Sequence, residues 1–162
     1  MALAELPGGG WTFDYAIYER PRLGRDVLRP VVPVGLGPRF RRGIVGLVDS
    51  GSEHTLASMQ LAEDMGLDLS ASTSRLKLGI GGRSAEAIFA PVQIRLYRDH
   101  SDEEFVSWSA DIGFLTPWDA EFYVILGQVG FFDEFTVSMS RRLLATHIGP
   151  VDAMADKVNS TR

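Results

Sequence analysis

The chain has 162 residues, 45% of them hydrophobic, a formal net charge of -5 and no cysteine. That length suits one well-formed core and is short for two domains of ordinary size. The acidic balance speaks against a nucleic-acid partner, which needs clustered positive charge, and the lack of cysteine excludes disulfides, thiol catalysis and cysteine-built metal sites.

The first residues, Met1 to Gly10, lack the basic start and continuous apolar stretch of a signal peptide, and no later run reaches the length of a membrane span. A cytoplasmic protein with no membrane partner is the expectation. Small and polar residues near both chain ends predict flexible segments at 1–10 and 149–162, flanking one domain at 11–148.

Trp11, Phe13, Tyr15 and Ile17 alternate with Thr12, Asp14, Ala16 and Tyr18, the two-residue period of a strand with one aromatic face. An arginine-rich stretch follows: Arg20, Arg22, Arg25 and Arg29, then Arg39, Arg41 and Arg42. These read as solvated loop charges, because neither interleaved aromatics nor a phosphate loop accompanies them. Residues 31–36 and 43–48 predict a strand pair, with Pro33 placing the first on an edge or at a bulge.

Residues 58–65 predict a short helix, Ser58 its N-cap and Gly66 its stop, with Leu56, Met59, Ala62 and Met65 on the buried side. Further strands are expected near 74–79, 84–97, 105–115, 122–126 and 135–140. The charged run 98–104 is expected to form a hairpin tip. So many short strands with so little helix predict an all-β, barrel-like, single-lobed domain.

Three segments carry chemistry. The apolar run 44–48 delivers one carboxylate, Asp49, into a tight turn made by Ser50, Gly51 and Ser52. An Asp-Ser-Gly triplet alone is common in ordinary turns. Downstream, Leu78-Gly79-Ile80-Gly81-Gly82 lies between two alternating stretches, as at a hairpin tip. Further on, Phe122-Tyr123-Val124-Ile125-Leu126-Gly127 is an apolar strand closing on glycine.

In this order, over about residues 30 to 140, the chain resembles the retropepsins, the retroviral-type aspartic peptidases, and especially their bacterial single-domain relatives. The resemblance implies an all-β, retropepsin-like acid protease barrel with one or two short helices, one of them over 128–134, after the apolar-Gly strand. It implies an aspartic endopeptidase with Asp49 catalytic and Ser50, Gly51 and Ser52 supporting its loop. Gly79, Ile80, Gly81 and Gly82 would form a flap over an extended peptide, Glu53 and His54 would line the cleft, and Ile125, Leu126 and Gly127 would be the strand behind the loop. An ordinary hairpin turn remains the plain alternative for the glycine cluster.

This chemistry needs two carboxyl groups across one water, since one must accept a proton while the other donates one. The other Asp-x-Gly, Asp111-Ile112-Gly113, has no hydroxyl in the middle and lies inside a strand pattern, so it is discounted. The second acid is then Asp49 of another copy, and the expected unit is a homodimer with one site. Two acids about 3 Å apart cannot both ionise readily, which favours activity from acidic to near-neutral pH. Ser52 is expected to hydrogen-bond the ionised carboxylate, and Ser50 to tie the two loops together.

Many relatives carry an arginine after the apolar-Gly strand, paired with an acid four residues beyond the catalytic one. Here Gln128 stands for the arginine and Glu53 holds the acidic place, which leaves at most a neutral-to-charged hydrogen bond. His100 and His147 show no ligand spacing, and neither a metal nor a cofactor is expected. The rival to the peptidase is a catalytically silent peptide-binding or dimerisation module of the same fold.

Overall fold

The computed structural model describes residues 9–18, 26–37, 44–72, 74–80, 83–101, 103–118 and 120–151. Of the early arginines, only Arg29 falls among them. Strands β1 (Trp11–Asp14), β2 (Ala16–Tyr18), β3 (Val27–Arg29), β4 (Val31–Leu36), β5 (Ile44–Val48) and β6 (Leu56–Ser58) precede the helix α1 (Met59–Met65). Strands β7 (Arg75–Ile80), β8 (Arg83–Tyr97), β9 (Phe105–Leu115), β10 (Val124–Leu126), β11 (Phe135–Ser140) and β12 (Ala145–Pro150) follow.

The main sheet runs β4-β5-β10-β6-β9-β8-β7, and β4 also pairs with β8. That pairing closes a barrel of β4, β5, β10, β6, β9 and β8 and leaves β7 outside, held by β8 alone. Closure satisfies backbone groups that an open sheet would expose at its edges. Pro33 sits opposite Val45 of β5, just before the pairing with β8 begins at Val34, so its missing N–H leaves no gap between two partners.

Inward-facing Val32, Val34, Leu36, Ile94, Leu96, Phe114 and Leu126 are buried in the barrel core. The alternation of β5, buried at Ile44, Gly46 and Val48, follows from its two-residue period. Helix α1 begins where Ser58 Oγ accepts the Leu61 N–H at 3.2 Å, and it ends at Gly66, whose φ of 70° suits a residue without a Cβ. It buries Leu61 as well as the expected Ala62 and Met65, while Leu56 belongs to β6.

The predicted single strand over 11–18 is two. β1 pairs with β12 as far as Asp14 opposite Ala145, the Tyr15 N–H then bonds the Leu144 carbonyl at 2.8 Å, and β2 turns away to pair with β3. β12 lies between β1 and β11, and Trp11, Phe13, Phe135 and Ile148 of this small sheet enter the same core. Gly149 and Pro150, placed by sequence in a flexible tail, belong to β12 and pair with Thr136 and Phe135.

Residues 128–134, expected as a short helix, form a run of turns instead. Val129 bridges to His54 and Gly130 takes φ +95°, and both interrupt helical backbone before a turn of α-helix can form. Phe132 and Asp133 donate to Gly127 and Gln128, five residues back. Phe131 anchors the run in the core beside Trp108, whose Nε1–H bonds the Gly130 carbonyl at 2.8 Å.

Glu134 in this run is 8% exposed, and its Oε2 is buried with no hydrogen-bond partner among the described residues. Burial, and then the neighbouring Asp133, pushes its carboxyl above the usual carboxylate range. The folded state therefore keeps this proton to a higher pH than the unfolded chain does. The stability linked to it falls as pH rises from the ordinary carboxylate value through the raised one. Glu134→Gln is expected to stabilise the protein at pH 7 and to have little effect at pH 4, read as the shift in urea midpoint at the two pH values.

Candidate functional site

β5 and β10 run parallel, with Leu47 opposite Ile125 and Val48 opposite Leu126. The Val48 N–H bonds the Pro30 carbonyl at 2.8 Å and the Asp49 N–H bonds the Leu126 carbonyl at 3.0 Å, so ladder bonds reach Asp49 itself. Beyond it the chain leaves the sheet in a turn closed by Ser52 N–H on the Asp49 carbonyl at 3.1 Å. Asp49 is half-buried, and Ser50 and Gly51 are exposed at the tip. Oδ1 of Asp49 accepts the Gly51 N–H at 2.9 Å, which fixes the carboxylate plane relative to the loop. Among the described residues nothing bonds Oδ2.

The loop is clamped from behind by the segment after β10. Gln128 N–H donates to the Ser52 carbonyl at 2.9 Å, Val129 N–H to Glu53 at 2.8 Å, and Thr55 N–H to Val129 at 2.9 Å. Thr55, fully buried, accepts the Gly127 N–H on Oγ1 at 3.2 Å. Gly127 has to be glycine for a steric reason. A Cβ there would stand 2.5 Å from the His54 carbonyl carbon, closer still to its oxygen, and 2.9 Å from the Ser52 carbonyl oxygen. Of its strand, Leu126 faces the core while Ile125 packs with Leu56, Ala87 and Leu115 in a second apolar cluster.

Two side chains do something other than expected. Ser52 donates its hydroxyl to the His54 carbonyl at 2.7 Å, so its one proton is used within the loop and is not offered to the Asp49 carboxylate. Gln128 does not reach for Glu53; its Nε2 donates to the Ser50 carbonyl at 2.8 Å, from behind the tip. Ser52→Ala is expected to cost about 1 kcal/mol, the usual net worth of such a bond, seen as a fall in Tm of about 2–4 °C.

Glu53 points to solvent, its side chain 83% exposed, with Oε1 3.9 Å from His54 Nε2. His54 is tucked edge-on against Phe89, ring centroids 5.1 Å apart. β7 and β8 form the hairpin beside the loop, in register from Arg75 opposite Ile88 to Ile80 opposite Arg83. Gly79 is exposed with open space around its α-carbon. Gly81 and Gly82 lie outside the described residues, as does the side chain of Ile80.

Sequence reasoning missed Thr55, whose hydroxyl joins loop to strand, and, having discounted Asp111 as a second acid, missed that it shares a groove with His54. A buried hydroxyl six residues past the acid was the available signal for the first. For the second there was none, since β9 and the loop meet only in the folded barrel. Among the described residues no three His, Cys, Asp or Glu side chains gather as a metal ion would require. No described helix is long and apolar enough to cross a membrane.

No protein-family model matches the chain, and neither does any curated protein. Among solved structures it is similar to a retropepsin-like aspartic protease from Rickettsia conorii, at 15% identity and a TM-score of 0.49, covering 87% of this chain and 95% of that one. It is also similar to the retroviral protease-like domain of Ddi1 from Leishmania major, at 13% identity and a TM-score of 0.46, covering 77% and 95%.

Proposed function

We propose that the protein is an aspartic endopeptidase acting as a homodimer, with a water activated between the Asp49 carboxylates of two copies. The observation that supports this most is the exposed loop tip that holds a half-buried carboxylate with one oxygen fixed and the other unbonded among the described residues. A rigid presentation of this kind is what a second copy needs in order to set its own Asp49 alongside about a two-fold axis.

In the reaction, the ionised carboxylate takes a proton from the water as its oxygen attacks the peptide carbonyl carbon. The protonated partner donates its proton to the carbonyl oxygen, giving a neutral gem-diol. The carboxyl that took the water's proton then gives it to the nitrogen while its partner carboxylate takes a hydroxyl proton from the gem-diol; the C–N bond breaks to acid and amine, and the pair again shares one proton. The β7–β8 hairpin is the flap, with Gly79 to Gly82 at its tip, and the substrate adds as an extended strand beneath it. Ser50, Gly51 and Ser52 keep the loop in shape, while Glu53 and His54 border the cleft.

Incubation with a diverse peptide library between pH 3 and 7, with light scattering on the same sample, tests the reading. Cutting by a dimer supports it. A strict monomer at high concentration, or no cutting at any pH, overturns it, and peptide binding without cutting would leave a binding module of this fold.

A further inference from the structure

Next to the loop lies a groove of about 290 Å³ lined by His54, Ser74, Arg75, Leu76, Phe89, Asp111 and Val129. Its floor is apolar: Phe89 is braced by His54, while Leu76 and Val129 are 43% and 44% exposed. Its charges do not balance. Arg75 is already neutralised by Glu86, across the hairpin at 2.9 Å. Asp111 is exposed on β9, and its side chain has no hydrogen bond or ion pair among the described residues. Glu53 adds a second carboxylate at the His54 rim. An apolar trough ending in an unpaired carboxylate matches one kind of side chain, a long aliphatic stem with a cationic head.

The geometry points to this groove as the seat of a lysine or arginine side chain of an extended peptide, which makes the protein selective for basic peptides. The stem lies over Leu76 and Val129, the head meets Asp111, and the Phe89 ring adds a cation–π contact. This rests on the reading above only in that a peptide passes over the loop; it does not require that the peptide be cut.

The test uses full-length Asp49→Asn protein and fluorescein-labelled dodecapeptides that carry a single Lys, Glu or Leu walked through a small-residue background, with affinity read by fluorescence polarisation. Lys is expected to bind about three- to tenfold tighter than Glu at one or two adjacent positions, the range of a partly exposed ion pair. Asp111→Lys should reverse that order, an outcome that misfolding cannot imitate. Equal affinity for all three peptide sets in both proteins, or no binding of any, overturns the assignment. Equal affinity combined with wild-type cutting would leave the peptidase reading standing. Charge-selective binding with no wild-type cutting would sink the peptidase and keep the groove.

Discussion

Asp49→Asn is expected to reduce peptide cleavage by about 10²–10⁴-fold, the usual worth of general acid–base catalysis, while leaving the fold intact. The asparagine Oδ1 can still accept the Gly51 N–H that Asp49 accepts now, and the backbone bonds to Leu126 and Ser52 do not involve the side chain. Tm should therefore move by less than about 2 °C, as for other partly exposed isosteric changes. A sharper result comes from mixing. If each site takes one acid from each copy, an equal mixture of wild-type and variant chains, allowed to exchange, leaves about a quarter of dimers with two aspartates. Activity should follow the square of the wild-type fraction. A linear dependence would mean that each chain works alone, and unchanged cleavage by the variant would remove Asp49 from the chemistry.

The second large effect is expected at Gly127. Gly127→Ala would drive a methyl group into the His54 carbonyl, which already accepts the Ser52 hydroxyl, and toward the Ser52 carbonyl, which accepts the Gln128 N–H. Neither acceptor can retreat without breaking a bond, one within the loop and one that holds the loop to the segment behind it. Overpacking of this kind costs about 1–3 kcal/mol, or roughly 2–12 °C in Tm for a chain of this size. Because Asp49 rides on the same clamp, cleavage measured well below Tm should drop about a hundredfold, as for a displacement near 1 Å. Gly79→Ala is the control: a Cβ there meets nothing within 4 Å, so stability should hold within about 0.5 kcal/mol. Equal stability of the two variants would refute the steric account of Gly127.

The order of strands β4 and β5, the helix with its Ser58 and Gly66 caps, and the turn that carries Asp49 were legible in the sequence. Each is governed by neighbours a few residues apart: alternation writes a strand face, a hydroxyl meets an N–H three residues on, and a glycine permits a turn. Barrel closure was legible only as a class, from many short strands and few helical residues. Which strands would close it depended on β8 being long enough to hold β7, β9 and β4 at different points along its length.

What tertiary structure alone decided is where competing partners went. Local alternation cannot show that the strand divides at Tyr15, because β1 pairs with β12 at the other end of the chain while β2 pairs with β3. The Ser52 hydroxyl had two acceptors within reach in sequence terms, and the fold brought the His54 carbonyl to it. The helix expected at 128–134 lost to a bridge between Val129 and His54, a pairing the sequence could not display. Residue type and spacing determine what a segment can do. Contacts between segments distant in the chain choose among those options, because a buried donor or acceptor must take whichever partner the packing supplies.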